Sequence, residues 1–249
     1  MFNQMIEKSI HKSQHCQRNW DLSREIPTED LETIKTAATQ CPSKQNESFY
    51  KVVFVHDRDT INKIADCTKG FSTSSQYPYK ANATGMDDEL QINTQVQANL
   101  LVAFVRDFGT PEHASTPELN MYHANNGKIE PELLETLERN RQMAIGIAAG
   151  YTNLTSAQLG YGTGCCECLH DRPEIERLLG LEDPTGDKVV LLMGIGYPDP
   201  KKTRREHHTD KGKIFPTFKR DIAFSEVDKV YRNPVVKKIE AHNHDLEVA

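Results

Sequence analysis

Three short segments carry side chains whose types and spacing suit chemistry on a polar or anionic ligand. Gln14-His15-Cys16-Gln17-Arg18 offers amide, imidazole and thiol groups, and a permanent cation just before Trp20. Pro42-Ser43-Lys44-Gln45-Asn46 offers a hydroxyl, an ammonium and two amides, although such residues also populate ordinary turns. Lys202-Thr203-Arg204-Arg205 closes a stretch in which an apolar run ends in Gly194-Ile195-Gly196-Tyr197-Pro198. Cations just past a strand can hold a phosphate, and the arginine fork matches its geometry. A solvated charge run is the competing reading of that segment.

Two glycine clusters flank these groups, and neither is a dinucleotide fingerprint. That motif needs a strand before its glycines and a helix after them. Gly160, Gly162 and Gly164 follow a helical segment, whereas Gly194 and Gly196 precede Pro198 and Pro200, which block an immediate helix. The chain must run on there as a loop bearing the basic cluster, an order that fits a phosphate-holding loop.

The elements that position these groups can be read from periodicity. Thr28 to Gln40 is predicted as a helix, with Thr28 as cap, apolar positions at Leu31, Ile34, Ala37 and Ala38, and an end at Cys41-Pro42. Tyr50 to His56, Asn99 to Arg106 and Lys188 to Gly196 are predicted as buried strands. Asp59 to Thr68 and Asp87 to Gln97 are predicted as helices. The polar segments Lys69 to Gly85 and Phe108 to Lys128 contain little to bury and are expected to carry the lid that selects a substrate. Pro131 suits a helix start, and the helix is predicted to continue to about Leu159. Its second half, Ala144 to Gly150, is apolar all round, so it is expected to be buried on several sides, as a central core helix or at the heart of a homodimer.

Composition sets outer limits. The 249 residues are expected to form a single domain, with 206–249 a polar extension wrapping a surface. A net charge of -6 gives no electrostatic reason to expect nucleic acid or an anionic membrane as partner. The longest uncharged apolar-rich run, Met143 to Tyr151, is far short of the roughly 20 residues that span a bilayer, and the N-terminus lacks a signal-peptide core. A cytoplasmic location is expected, where the 6 cysteines would stay reduced.

Taken in order and spacing, these segments resemble the nitroreductase family of FMN-dependent flavoproteins over most of residues 10 to 205. The resemblance rests on the helix into Pro42–Asn46 and the strand after it, on Gln158 to Gly164, and on Gly194 to Arg204. It implies an α+β three-layer sandwich with a mainly antiparallel central sheet flanked by helices. It also implies an intertwined homodimer with FMN at the subunit interface and NAD(P)H as co-substrate. By that resemblance, Gln14, His15 and Cys16 fall in the phosphate and ribityl segment, and Arg18 lies near the flavin pyrimidine, where a guanidinium favours the reduced, negatively charged ring. Pro42, Ser43, Lys44, Gln45 and Asn46 match the loop that reaches the flavin from the partner. Glu167 and Cys168 fall where backbone groups approach flavin N5 and O4, while Lys202 and Arg204 match the phosphate clamp, in which Arg205 could substitute.

The sequence departs from the family at Gln14 and Cys16, which replace cation and hydroxyl positions, at Glu47-Ser48-Phe49-Tyr50, and at Cys168, where glycine is common. The implied activity is transfer of hydride from NAD(P)H to nitroaromatic, quinone or similar acceptors by a ping-pong scheme. A flavin-storing, flavin-consuming or dehalogenating member of the same fold is the alternative. A second alternative from another class is a thiol or metal site on Cys165-Cys166-Glu167-Cys168-Leu169-His170, although its ligands lack the spacers of structural zinc sites.

Overall fold

The computed structural model describes residues 2–68, 93–181 and 188–201, together with the backbone of the short strands at 71–72 and 90–91. In chain order the elements are α1 (Phe2–Ser13), α2 (Thr28–Thr39), β1 (Tyr50–Val55), α3 (Arg58–Asp66), β2 (Phe71–Ser72), β3 (Leu90–Gln91), β4 (Leu100–Arg106), α4 (Pro117–Ala124), α5 (Pro131–Gln158), β5 (Gly162–Cys166), α6 (Arg172–Leu178) and β6 (Val189–Gly196). The main sheet has the order β1-β4-β6-β5, with each neighbouring pair antiparallel. β2 and β3 form a separate antiparallel pair.

Alternation along the central strands builds the layers, because successive side chains in a strand point to opposite faces. Leu101, Ala103 and Val105 of β4 pack with Ile61 and Ile64 of α3 and Ile175 of α6. Leu100, Val102 and Phe104 face the other way, with Ile34 of α2 and Ile145 and Ala148 of α5. The sheet thus lies between two helical layers, an α+β sandwich. A bulge keeps β6 in phase: Phe104 pairs with Leu191 but Val105 pairs with Val189, so Val190 is skipped and Val189 joins the α3 side. A third cluster, Phe49, Phe108, Leu119, Leu137 and Ala144, fixes α4 against the first half of α5.

The predicted strands and the long helix are present, with small shifts at their ends. α5 stops in a Schellman turn: Gly160, at φ +98, donates to Ala157 O, and Tyr161 donates to Ser156 O. Four expectations need correction. Thr28 is the first helical residue of α2 rather than its cap, a position held by Pro27 with no capping side chain. The helix expected over Asp87–Gln97 is absent from the described part of that range, which holds β3 and a 3-10 turn at Thr94–Val96. The polar segment Phe108–Lys128 holds α4 and a 3-10 turn at Pro111–His113. It is anchored by Glu47, whose carboxylate accepts the backbone N–H and hydroxyl groups of both Ser115 and Thr116. Finally, Gly162-Thr163-Gly164-Cys165-Cys166 is a strand that sequence periodicity missed.

The expected lid over Lys69–Gly85 falls outside the described residues apart from the backbone of β2, and the expected extension over 206–249 falls outside them altogether.

Candidate functional site

Segment 14–20 leaves α1 and runs beside the edge strand β5. Gln17 N–H donates to Thr163 O at 2.6 Å, and Cys16 bridges Thr163 in parallel. Trp20 bridges Pro198, Asp199 N–H donates to Asn19 O, and Trp20 Nε1 donates to Thr94 O at 2.8 Å. Lys12 Nζ donates to Gly160 O, and Asn153 Nδ2 donates to Ser13 O, which tie the end of α1 to the end of α5. Gln14 and His15 are exposed, while Cys16 and Arg18 are half-buried. From His11 to Arg18 the chain carries two imidazoles, an ammonium and a guanidinium but no carboxylate. The donor set of this edge therefore suits an anion.

Lys202, Arg204 and Arg205, the expected phosphate clamp, lie outside the described residues. Lys201, the last described residue of this stretch, lies two residues past the Asn19 to Asp199 contact.

The glycines at this end have a structural use. A Cβ on Gly164 would meet Gln17 O and Gln95 Cβ at 2.5 Å each, and one on Gly194 or Gly196 would intrude on Gln95 O or Asn99 Oδ1. The backbone of residues 95–99 therefore crosses β5 and β6 directly over these glycines. Gly194 and Gly196 thus make room for the crossing backbone and the Asn99 side chain. Asn99 fixes the crossing: its Nδ2 donates to Asp21 O and Arg24 O, and its Oδ1 accepts from Tyr197 N–H.

At the far end of β5 lie Glu167, exposed, and Cys168, half-buried. β5 stops with Cys166 opposite Leu192, so Val189 to Leu191 run past it and leave a cleft. The cleft has a volume of about 460 Å³, floored by Val190 and Leu191, walled by Gln142, Ile145 and Gly146 of α5, and rimmed by Glu167 and Arg172. Gln142 and Arg172 were not foreseen as site residues. The signal for Arg172 was present in Asp171-Arg172-Pro173-Glu174, where Asp171 caps α6 by accepting Glu174 N–H and Pro173 occupies the first turn.

The loop Pro42–Asn46 is elsewhere. Pro42, Lys44, Gln45 and Asn46 are exposed and precede β1, at the opposite edge of the sheet from β5. Three strand spacings separate those edges, about 14 Å. Ser43 Oγ accepts Ser48 N–H at 2.8 Å, and Lys44 Nζ lies 3.8 Å from Glu118 Oε1. Gln45, Asn46, Ser48 and Phe49 all have positive φ, between 55° and 65°. Such values cost non-glycine residues about 1–3 kcal/mol each and concentrate at functional sites. Within one chain this strained loop does not meet Arg18 or Glu167.

A stripe on α5 is left uncovered in the single chain. Met143, Ile147 and Tyr151, spaced four apart, are 53%, 39% and 49% exposed, and Gly146 and Gly150 between them have open space where a Cβ would stand. The helix is thus not buried all round within one chain. Among the described residues, no helix is long and apolar enough to cross a membrane and no group of three or more His, Cys, Asp or Glu converges as metal ligands.

This fold is shared with solved structures of other proteins. The pattern described as Nitroreductase family matches residues 12–197, and the chain belongs to that family. Among solved structures, NfrA2 of B. megaterium superposes with a TM-score of 0.56 at 16% identity, covering 82% of this chain and 70% of that one. A nitroreductase with bound FMN from Bacteroides fragilis gives 0.52 at 17% identity, covering 81% and 92%. The NADPH:FMN oxidoreductase of Vibrio harveyi, complexed with NAD+, gives 0.53 at 18% identity, covering 88% and 79%. No curated protein sequence matches the chain.

Proposed function

We propose that this chain is an FMN-dependent oxidoreductase that takes hydride from NAD(P)H and passes reducing equivalents to flat, electron-poor acceptors such as nitroaromatics and quinones, in a ping-pong exchange at one site. The observation that carries the reading is the pairing of Cys16 with Thr163 and of Trp20 with Pro198, which lays the carboxylate-free basic segment along the edge of β5. Family membership supports it, as does the FMN bound in the Bacteroides fragilis relative.

The donor set of the described segment beside β5 suits such a group. Gln14, His15, Cys16, Lys202, Arg204 and Arg205 would hold the phosphate and ribityl chain at the start of β5, with Arg18 placing a fixed positive charge toward the pyrimidine side. Glu167 and Cys168 would face the reactive edge, four residues beyond Thr163, about 13 Å at the rise of an extended strand. When bound, FMN supplies the two-electron carrying chemistry that side chains lack. The chain's own part is to fix position, provide electrostatics and shape the cleft beside Glu167 for a planar acceptor.

A second copy completes the site. The exposed stripe Met143-Ile147-Tyr151, with its open glycines, supplies an apolar surface for a homodimer centred on α5. In that assembly the strained loop Pro42–Asn46 of one copy would reach the cofactor of the other. We place the protein in the cytoplasm, where its thiols stay reduced. Steady-state kinetics test the exchange scheme: double-reciprocal lines at several acceptor concentrations should be parallel, and intersecting lines would reject it.

A further inference from the structure

One buried acceptor beside β5 is left without a donor. Gln95 sits in the 3-10 turn Thr94–Val96, 7% exposed, with its Cβ against Gly164, the same glycine that the backbone oxygen of Gln17 approaches. Its Nε2 donates to Cys165 O and to Asn93 Oδ1, each at 3.4 Å. These partners fix which way the amide is turned. Cys165 O can only accept, and Asn93 presents Oδ1 because its own Nδ2 donates to Thr68 O at 2.8 Å. Gln95 Oε1 is therefore the atom left over, buried and with no hydrogen-bond partner among the described residues. An unmet buried acceptor destabilises a fold, whereas an apolar side chain of the same length, such as methionine, would fill the space without that penalty.

We propose that Gln95 holds the pyrimidine edge of FMN, its Oε1 accepting the N3–H of the ring. This role rests on the flavin reading above and adds to it a residue that recognises the cofactor. The order of groups supports it. Around the flavin edge the C2 carbonyl, the N3–H, the C4 carbonyl and N5 follow one another, and the N3–H is the donor among them in the oxidised ring. Arg18, assigned to the pyrimidine side, follows the Gln17 that shares Gly164 with Gln95. Glu167 and Cys168, assigned to the N5 and O4 side, follow the Cys165 whose carbonyl Gln95 bonds. Gln95 thus stands along β5 between the two assigned groups, where the ring presents its donor. A neutral amide oxygen also suits the place, because a carboxylate there would oppose the negative charge of the reduced ring that Arg18 favours.

The test titrates the full-length protein with FMN and with 3-methyl-FMN, whose N3 carries a methyl group and cannot donate, and reads affinity from flavin fluorescence. The wild type should bind FMN roughly tenfold or more tightly than the methylated flavin, the scale of one hydrogen bond lost with its buried acceptor left unmet. Gln95→Met should bind FMN more weakly than the wild type and lose most of that preference. Equal affinity of the wild type for the two flavins, or an undiminished preference in Gln95→Met, overturns the proposal and leaves the flavin reading standing. If neither flavin binds, both fall together. Should Gln95→Met not fold, NMR of isotopically labelled FMN on the wild type decides: the N3–H proton is expected as a slowly exchanging signal, and its rapid exchange with water overturns the proposal.

Discussion

Gln95 lies across Gly164 so closely that a Cβ on the glycine would sit 2.5 Å from the glutamine's own Cβ. One 3-10 turn, Thr94–Val96, is thereby clamped over the two strands that carry the candidate site. Because the neighbours at Gly164 and Gly194 include backbone oxygens of Gln17 and Gln95, they cannot yield as a flexible side chain would. Gly194→Ala should therefore destabilise the fold by about 3 kcal/mol, the upper end of overpacking costs. Urea unfolding checks this, and a loss below about 0.5 kcal/mol would show that the crossing is loose.

The same crossing explains what could be read in advance. β1, β4 and β6 announce themselves as Val- and Leu-rich runs, and α5 by Pro131 and its apolar spacing. β5 is hidden because two of its five residues are glycines, required by the approach of Gln17 and Gln95 rather than by strand preference. The turn at Thr94–Val96 arises where a helix was expected, since tertiary contact with β5 and β6 overrides local propensity. Arg18 and the loop Pro42–Asn46 were legible as candidates, but their placement at opposite sheet edges was not, because strand order is a property of the whole sheet.

Glu47 gives the fold a specific acid sensitivity. Burial raises its pKa, but the hydrogen bonds from Ser115 and Thr116 outweigh that and hold the carboxyl below its usual range. A depressed folded-state value stabilises the protein above the ordinary carboxylate pKa, and the benefit is lost as pH falls through the folded value. Glu47→Gln should cost about 1–3 kcal/mol at pH 7, much less once the carboxylate would be protonated. A variant equally destabilised at both pH values would contradict this.

The α5 stripe predicts assembly. Ile147→Glu places a charge in the middle of the proposed apolar interface and should convert a dimer to monomer, read by sedimentation velocity. If the wild-type protein is itself a monomer at micromolar concentration, the homodimer is wrong.

Arg18 and Arg204 should separate by readout. Arg204→Ala removes a phosphate contact and should weaken FMN binding by roughly tenfold or more, consistent with one charge-assisted hydrogen bond of about 1.5–3 kcal/mol. Arg18→Ala should instead lower the reduction potential of the bound flavin, since the guanidinium favours the negatively charged ring. Unchanged affinity in the first variant, or an unchanged potential in the second, would remove that residue from its assigned role.

The most direct measurement mixes the purified protein with FMN under anaerobic conditions, removes free flavin, adds NADPH or NADH, and follows the bound-flavin absorbance near about 450 nm. The account predicts bound flavin and rapid bleaching by at least one nucleotide, with colour restored by a nitroaromatic or quinone. Bound flavin that neither nucleotide bleaches would contradict the reductase assignment and favour a flavin-storing or otherwise specialised member of the family, and absence of flavin binding would contradict the proposed site itself.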